Sequence, residues 1–521
     1  MLNLQNIEQK KSSLLHCNTA SFENVGNSFR HFLKKIKVNS FRHLVDLEIS
    51  FEHPVTVISG TNKIGKTSLL LLTACSFERF MKIDSTSPNG ELREHAWKDV
   101  LQFTNHETVN NDYSYELDWR VGAAEHHGEG KRLATSRAWS GLGKKGADRI
   151  NAKIRDREVR LVDLERVLPG RSFTNALFRK VSDDEGLRLN EEIEQAFSYI
   201  FESDPVEIKE IGSHTNKSCF LISNPSDQEG SYSTFNAASG EEAVIYLLRD
   251  IIESPNDSLI LIDEIEAGFH PSVQRRIADV IQYLSWRDKK QFVITTHSPT
   301  FLASFPAKSR RFIEKNGGVY RTINGISHQA ARSKMDSVGY PLMRCYCEDE
   351  LAKYLIQKAL VSVALDHPQA QRLVNIVTSG PIDQVKNDYD RHKRNFSQYQ
   401  NRIGYCAVFD GDHKDHPNFS SYFENDQEDV MFLYPYDAPE KFLVRAYLSQ
   451  NDNPHLRSAF EHHDHHALFQ QMVNLGIATD EMDAQGLCYR AFEDSPEYAK
   501  HIADLRDFFI DKLKKFSEMP E

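Results

Sequence analysis

The chain has 521 residues, with 63 Lys/Arg against 75 Asp/Glu and a formal net charge of -12 at pH 7. That balance excludes a global attraction to nucleic acid, so any such surface must be a local basic patch. No apolar run approaches the ~18 residues of a membrane span, and 40% hydrophobic with 26% charged residues describes an ordinary soluble protein of several domains.

The N-terminus is polar and lacks a signal-peptide core. Seven cysteines are scattered without a C-x-x-C pair, and Cys75, Cys345, Cys347 and Cys406 lie in apolar runs. Reduced thiols in a cytoplasmic protein, with no zinc site, are expected. Residues 1–30 are weakly patterned and read as an appended, loose arm. The stretches 32–38 and 44–49 alternate as antiparallel strands should and lead into an apolar strand, 53–59.

That strand ends in Gly60-Thr61-Asn62-Lys63-Ile64-Gly65-Lys66-Thr67-Ser68, followed by the apolar helix 69–75. The stretch matches the phosphate-binding P-loop, G-x-x-x-x-G-K-[ST]. Gly60 and Gly65 let the backbone close on an anion, with Asn62 and Ser68 in the same cradle. Lys66 can reach the β- and γ-phosphates of a nucleotide, and Thr67 can ligate Mg²⁺.

Residues 112–120 alternate again as a strand. Between Lys131 and Arg171 stand twelve Lys/Arg against five Asp/Glu. This segment reads either as a solvated surface or as a phosphate-backbone contact, with Trp139 able to stack on a base. Asp183–Asp204 reads as a helix, and residues 206–222 return to strands. No heptad array exists, which excludes a long coiled-coil arm.

Three elements follow in order. Ser239-Gly240-Glu241 opens a helix, a second anion-binding N-terminus. Ser258 to Glu264 is a buried parallel strand that delivers two carboxylates at its end. Asp263 suits a Mg²⁺ shell, and Glu264 suits orientation or deprotonation of an attacking water. Gln291 to Ser298 is a further buried strand ending in His297, which is placed to sense a γ-phosphate.

Farther on, Glu348 follows an apolar run and precedes a helix. A strand then ends at Gly380, and another ends in Asp410-Gly411-Asp412. A further strand, 430–434, leads to Glu440 and Lys441. Hard oxygen ligands on adjacent strand ends can hold one or two Mg²⁺ ions, which polarise a phosphodiester. Residues 450–521 read as helices. The run His462-His463-Asp464-His465-His466 is taken as helical, so its imidazoles should point apart rather than converge.

The P-loop, Ser-Gly-Glu, Ile-Asp-Glu and Thr-Thr-His-Ser in this order resemble the ABC-type ATPase head of SMC-like and RecF-like proteins. The continuation Glu266-Ala267-Gly268-Phe269-His270-Pro271 resembles the OLD-family ATPases. The stretch from Glu348 through Asp410 and Asp412 resembles a Toprim domain. The resemblance implies an α/β fold: an N-terminal arm (1–30), an ABC-type head (31–335), a smaller Toprim-like domain (336–449) and a C-terminal helical region (450–521). It implies ATP sandwiched between two heads, so a homodimer or higher oligomer, with Ser239 and Gly240 meeting the nucleotide on the other head's Lys66. Gln102 is the weakly placed candidate for the family's Q-loop.

The implied activity is an ATP-controlled nuclease acting on DNA or RNA in prokaryotic antiviral defence. Glu348, Asp410 and Asp412 would ligate Mg²⁺ or Mn²⁺, Lys441 would steady the transition state, and Asp349, Glu350 and Glu440 rank second. Two departures stand out: Asp349 replaces the Gly common after the Toprim glutamate, and Ala352 replaces an acid. The competing expectation is an ATP-gated sensor with a non-catalytic Toprim domain. It would act with a separate effector, such as a reverse transcriptase–RNA/DNA complex of the retron kind. A metabolic kinase is remote, because the Ser-Gly-Glu signature has no use there.

Overall fold

Every residue of the strand Val55–Gly60 is buried, and this strand sits third in an eight-stranded sheet. The sheet order is Val319–Asn324, Arg310–Asn316, Val55–Gly60, Gln291–Thr295, Leu259–Ile262, Ile154–Val162, Phe77–Ile83, Leu92–Glu94. The six inner strands are parallel and the two edge pairings antiparallel. Apolar runs such as Leu259–Ile262, buried at all four positions, reflect cover on both faces. Each such side chain contributes about 1.5–3 kcal/mol by leaving water. The computed structural model describes residues 4–15, 29–83, 92–100, 112–135, 139–142, 154–167, 186–211, 219–224, 227–237, 239–316, 318–336, 340–367, 369–398, 402–414 and 428–518.

The chain divides into two compact units that meet in sequence at Ala331 and Arg332. The expected boundary, 335, is the last residue of the helix His328–Met335. The first unit adds two antiparallel sheets to the parallel one. Five strands run in the order Leu44–Ser50, His31–Phe41, Tyr113–Val121, Ala124–Arg132, Trp139–Gly141, and four run Leu187–Arg188, Glu207–Ile211, Cys219–Asn224, Asp227–Ser233.

The arm is not loose where it is described. Leu4–Leu15 is a helix that buries Ile7 and Leu14, and the Lys11 ammonium meets Asp279 Oδ1 at 2.8 Å on the helix Pro271–Asp288. The helix expected over 183–204 is shorter, Glu191–Phe201. The Asn190 side chain accepts from the Glu192 N–H to cap its start, and Leu187 falls in a strand instead.

In the second unit a parallel four-stranded sheet has the order Val374–Thr378, Met343–Cys347, Gly404–Phe409, Val430–Phe432. The helices Pro439–Gln450, Pro454–His462, Leu468–Asn474, Glu481–Glu493 and Tyr498–Glu518 belong to this same unit. The chain is thus mixed α/β throughout. Among the described residues, six cysteines are buried, and no helix is long and apolar enough to cross a membrane.

Candidate functional site

The P-loop geometry follows from its glycines. Gly60 has φ +153°, and a Cβ there would lie 2.6 Å from the Ile313 carbonyl of the neighbouring strand. Gly65 has φ +101° and precedes the helix Lys66–Cys75; a Cβ there would sit 2.4 Å from Leu44 Cδ2. Both positions therefore demand glycine. The Lys66 ammonium folds back on the loop and donates to the Gly60 and Thr61 carbonyls at 3.1 and 3.2 Å. Burial brings its pKa down to about 8, against the pull of Asp263, Glu264 and Glu266. Ser68 is buried on the helix and Asn62 is exposed on the loop.

Asp263 is fixed from two sides. The Thr67 hydroxyl donates to its Oδ2 at 2.8 Å and the Thr295 hydroxyl to its Oδ1 at 2.5 Å. Thr295 Oγ1 also accepts from the Glu264 N–H at 2.9 Å. Glu264 lies in the left-handed region, φ +46°, a conformation that costs a non-glycine residue energy and must be held by its surroundings. Arg166 supplies part of that hold: its guanidinium donates to the Asp263 carbonyl at 3.0 Å and the Glu264 carbonyl at 2.7 Å. The arrangement brings Lys66 and Thr67, which follow the strand Val55–Gly60, together with Asp263 and Glu264, which follow Leu259–Ile262, at one end of the parallel sheet, with Gln291–Thr295 between the two strands, where α/β sheets place ligands.

His297 is held by Glu266. The carboxylate accepts from the Thr296 hydroxyl at 2.6 Å and from the His297 N–H at 2.5 Å. Burial, and then the Lys66 charge, lower the His297 pKa. Arg166, Glu266 and Thr295 were missed in the sequence. Their signal was weak, although an acid two residues beyond Glu264 could have been read as a partner for the next strand end. His270-Pro271, used above as a family mark, works as a helix start: His270 Nδ1 accepts from the Ser272 N–H, with Pro271 in the first turn.

Ser239 and Gly240 open the helix Ser239–Ile252, and both are half-buried. A Cβ at Gly240 would lie 3.0 Å from the Gly268 carbonyl. Glu241 Oε1 accepts from the Tyr232 hydroxyl at 2.8 Å. Gln102 lies outside the described residues.

Two nucleic-acid expectations meet packing where their residues are described. Trp139 is stacked on Trp97, ring centroids 4.1 Å apart and 11° between planes, with Phe41 and Tyr115 beside it. In the basic segment, Arg157, Arg160 and Arg166 are all buried. Arg157 donates to the Asp257 carbonyl and to Gln291, and Arg160 pairs with Glu158 and Asp250. Part of the described charge is thus spent inside the fold. Residues 136–138, 143–153 and 168–171 of that segment lie outside the described residues.

In the second unit, Glu348 follows the strand Met343–Cys347. Its Oε1 accepts from the Asp410 N–H at 3.3 Å and lies 3.5 Å from His413 Nε2. His413 Nε2 is also 3.7 Å from Asp412 Oδ1. This histidine was missed; the hydrogen bond to Glu348 raises its pKa. Asp410 Oδ1 is buried without a hydrogen-bond partner. Burial, then Glu348, Asp349, Glu440 and Asp412, drive the Asp410 pKa up. Gly411 is compelled, since a Cβ there would lie 2.4 Å from the Leu433 carbonyl.

Of the second-rank acids, Asp349 caps the helix Glu350–Val363 by accepting from the Ala352 N–H at 2.8 Å. Glu350 is exposed and pairs with Lys353. Glu440 is buried, with Oε1 at 3.2 Å from His466 Nδ1. Lys441 is half-buried, and its charge is among those that lower the Asp464 pKa, after the His466 N–H. Among the described residues, Glu440, His465 and His466 are the set whose ligand atoms all lie within 4.8 Å of one another. The expected triad Glu348, Asp410 and Asp412 gathers at strand ends without closing that tightly.

A family model described as "AAA domain, putative AbiEii toxin, Type IV TA system" matches residues 55–303. No curated protein matches the chain. Solved structures with some similarity include the SMC head domain from Thermotoga maritima, at 15% identity over 56% of this chain and 98% of that one, TM-score 0.34. Others are the Smc head domain with an extended coiled coil bound to the C-terminal domain of ScpA from Pyrococcus furiosus (12%, 58% and 98%, 0.35) and an SmcHead bound to the C-winged helix domain of ScpA (14%, 56% and 97%, 0.35).

Proposed function

We propose that the matched stretch, from the P-loop strand past His297, is an ABC-type head that binds ATP, typically with Mg²⁺, and hydrolyses it when two copies pair. Thr67 and Asp263 would hold Mg²⁺, whose charge offsets that of the phosphates. Lys66 would bind the phosphates, Glu264 would orient the attacking water, and His297 would meet the γ-phosphate from the end of its strand. Ser239, Gly240 and Glu241 would reach the nucleotide of the opposite head.

The ATPase would control a Toprim-like, Mg²⁺- or Mn²⁺-dependent site on the second unit that cleaves DNA or RNA. Glu348, Asp410 and Asp412 would hold the ion there, and Lys441 would face the scissile phosphate. One observation carries this reading: Asp410 Oδ1 is buried, has no partner and stands among other carboxylates. Such an atom costs about 1–3 kcal/mol to bury unsatisfied, and a hard cation would relieve both that cost and the crowding of charge. The toxin named in the matching family's description accords with a role in antiviral defence.

The second reading rests on His413. Placed against Glu348 and Asp412, it could supply positive charge itself and leave a non-catalytic site. The protein would then be an ATP-gated nucleic-acid sensor acting with a separate effector, such as a reverse transcriptase–RNA/DNA complex. Incubation of supercoiled plasmid and of RNA with the protein and Mg²⁺ or Mn²⁺, with and without ATP, separates the two. Nicking or cutting supports the nuclease, and its absence under every condition supports the sensor.

A further inference from the structure

The histidine run 462–466 does not continue as a helix. The helix Pro454–His462 ends there, and His463 is extended, φ −99° and ψ 158°. Asp464 then starts a short 3₁₀ turn, His465–Ala467, by accepting from the His466 N–H at 3.0 Å. The break removes the divergence that a regular helix would impose on neighbouring side chains. The rings of His465 and His466 end with centroids 4.0 Å apart. Glu440, in the first turn of the helix Pro439–Gln450, points its carboxylate at the same place, 3.2 Å from His466 Nδ1.

We infer that Glu440, His465 and His466 form a binding site for a divalent transition metal of the zinc or cobalt class. The ligand atoms all lie within 4.8 Å of one another. Donors at about 2.1 Å from a tetrahedral ion stand about 3.4 Å apart, so a small closure suffices. Two imidazoles and one carboxylate are a borderline-soft set that favours such ions over Mg²⁺, which takes oxygen. Three protein ligands leave a fourth position for water or an oxygen of a ligand.

The carboxylate is held in advance, since Glu440 is only 6% exposed. The histidines provide access, with the His466 side chain 71% and that of His465 28% exposed. Glu440 is close enough to Asp410 to raise its pKa, so this site adjoins the acidic cluster without sharing its proposed ligands. Lys441, next to Glu440 in sequence, is close enough to Asp464 to help lower its pKa, after the His466 N–H and the charges of His465 and His466.

The test uses the full chain, stripped with chelator, with no nucleotide and no nucleic acid, so it is independent of any ATPase or nuclease activity. Co²⁺ is titrated and its visible ligand-field bands recorded for wild type, His465→Ala, His466→Ala, Glu440→Gln and His463→Ala. Wild type should take up one equivalent of Co²⁺ in a low-coordinate site that excess Mg²⁺ does not displace. Each of the first three variants should bind about tenfold more weakly or worse, and His463→Ala should match wild type. Neither the exposed His466 nor the half-buried His465 is part of the core, so both can be replaced without disturbing it, which circular dichroism checks. Absence of the bands in wild type, or unchanged Co²⁺ affinity in either His465→Ala or His466→Ala, overturns the inference.

Discussion

The Thr67 hydroxyl donates to Asp263 Oδ2 at 2.8 Å, tying the first turn of the P-loop helix to the end of a strand almost 200 positions later. This bond sets the two oxygens that a nucleotide-bound Mg²⁺ would use. With Lys66 on the same loop, it gives a first expectation. Lys66→Ala should abolish ATP binding, while Glu264→Gln should bind ATP normally and hydrolyse it about 100-fold more slowly or worse. Fluorescent-nucleotide titration and phosphate release read the two effects. Wild-type hydrolysis by Glu264→Gln would remove Glu264 from the chemistry.

Glu266 should act as a positioning residue. Its carboxylate holds Thr296 Oγ1 and the His297 N–H, and charged hydrogen bonds of this kind are worth about 1.5–3 kcal/mol. Glu266→Ala should lower kcat by about tenfold with little change in ATP affinity. Glu266→Gln should recover part of the loss, because one oxygen remains to accept. A matched loss of affinity would instead place Glu266 in nucleotide binding.

Pairing of heads is checked at Ser239. Ser239→Arg should leave ATP binding intact and stop hydrolysis, since the bulk enters where the second copy's nucleotide would lie. In light scattering, Glu264→Gln with ATP should be at least dimeric, and the double variant Ser239→Arg, Glu264→Gln monomeric. A monomer that hydrolyses ATP at full rate would contradict the arrangement.

His53 offers a pH test of the first unit. Fully buried at the base of the P-loop strand, it has its pKa brought down from 6.5 to about 4 by desolvation. The unfolded chain therefore takes up the proton first as pH falls. The stability linked to His53 is complete above pH about 6.5 and declines towards pH about 4, by about 3 kcal/mol in all. Denaturant midpoints of wild type and His53→Gln at pH 7 and pH 5 should differ in their pH dependence, with the variant flatter. Parallel curves would show that His53 is not the titrating group.

What was legible in the sequence was what is local. The P-loop and the strand ending in Asp263-Glu264 show themselves by spacing and apolar runs. Arg166, Thr295 and Glu266 were hidden because their meaning lies in partners brought close by the fold. Net local charge was ambiguous for the same reason: counting cannot distinguish Arg157 and Arg160, buried in ion pairs and carbonyl contacts, from side chains open to phosphate. Trp139 offered a face that Trp97 had already covered. The N-terminal helix was legible in principle, since Ile7 and Leu14 stand seven apart on one face. The histidine run was misread because Asp464, a good cap, was taken as part of a helix.

The most direct test of the central claim is metal-dependent cleavage of plasmid DNA and of RNA by wild type and Asp410→Ala, purified in parallel, with ATP hydrolysis measured on the same samples. An ATP-controlled nuclease predicts cleavage by wild type alone and equal ATPase rates in both. Equal cleavage by Asp410→Ala, or no cleavage by wild type with any nucleotide or metal, would contradict it.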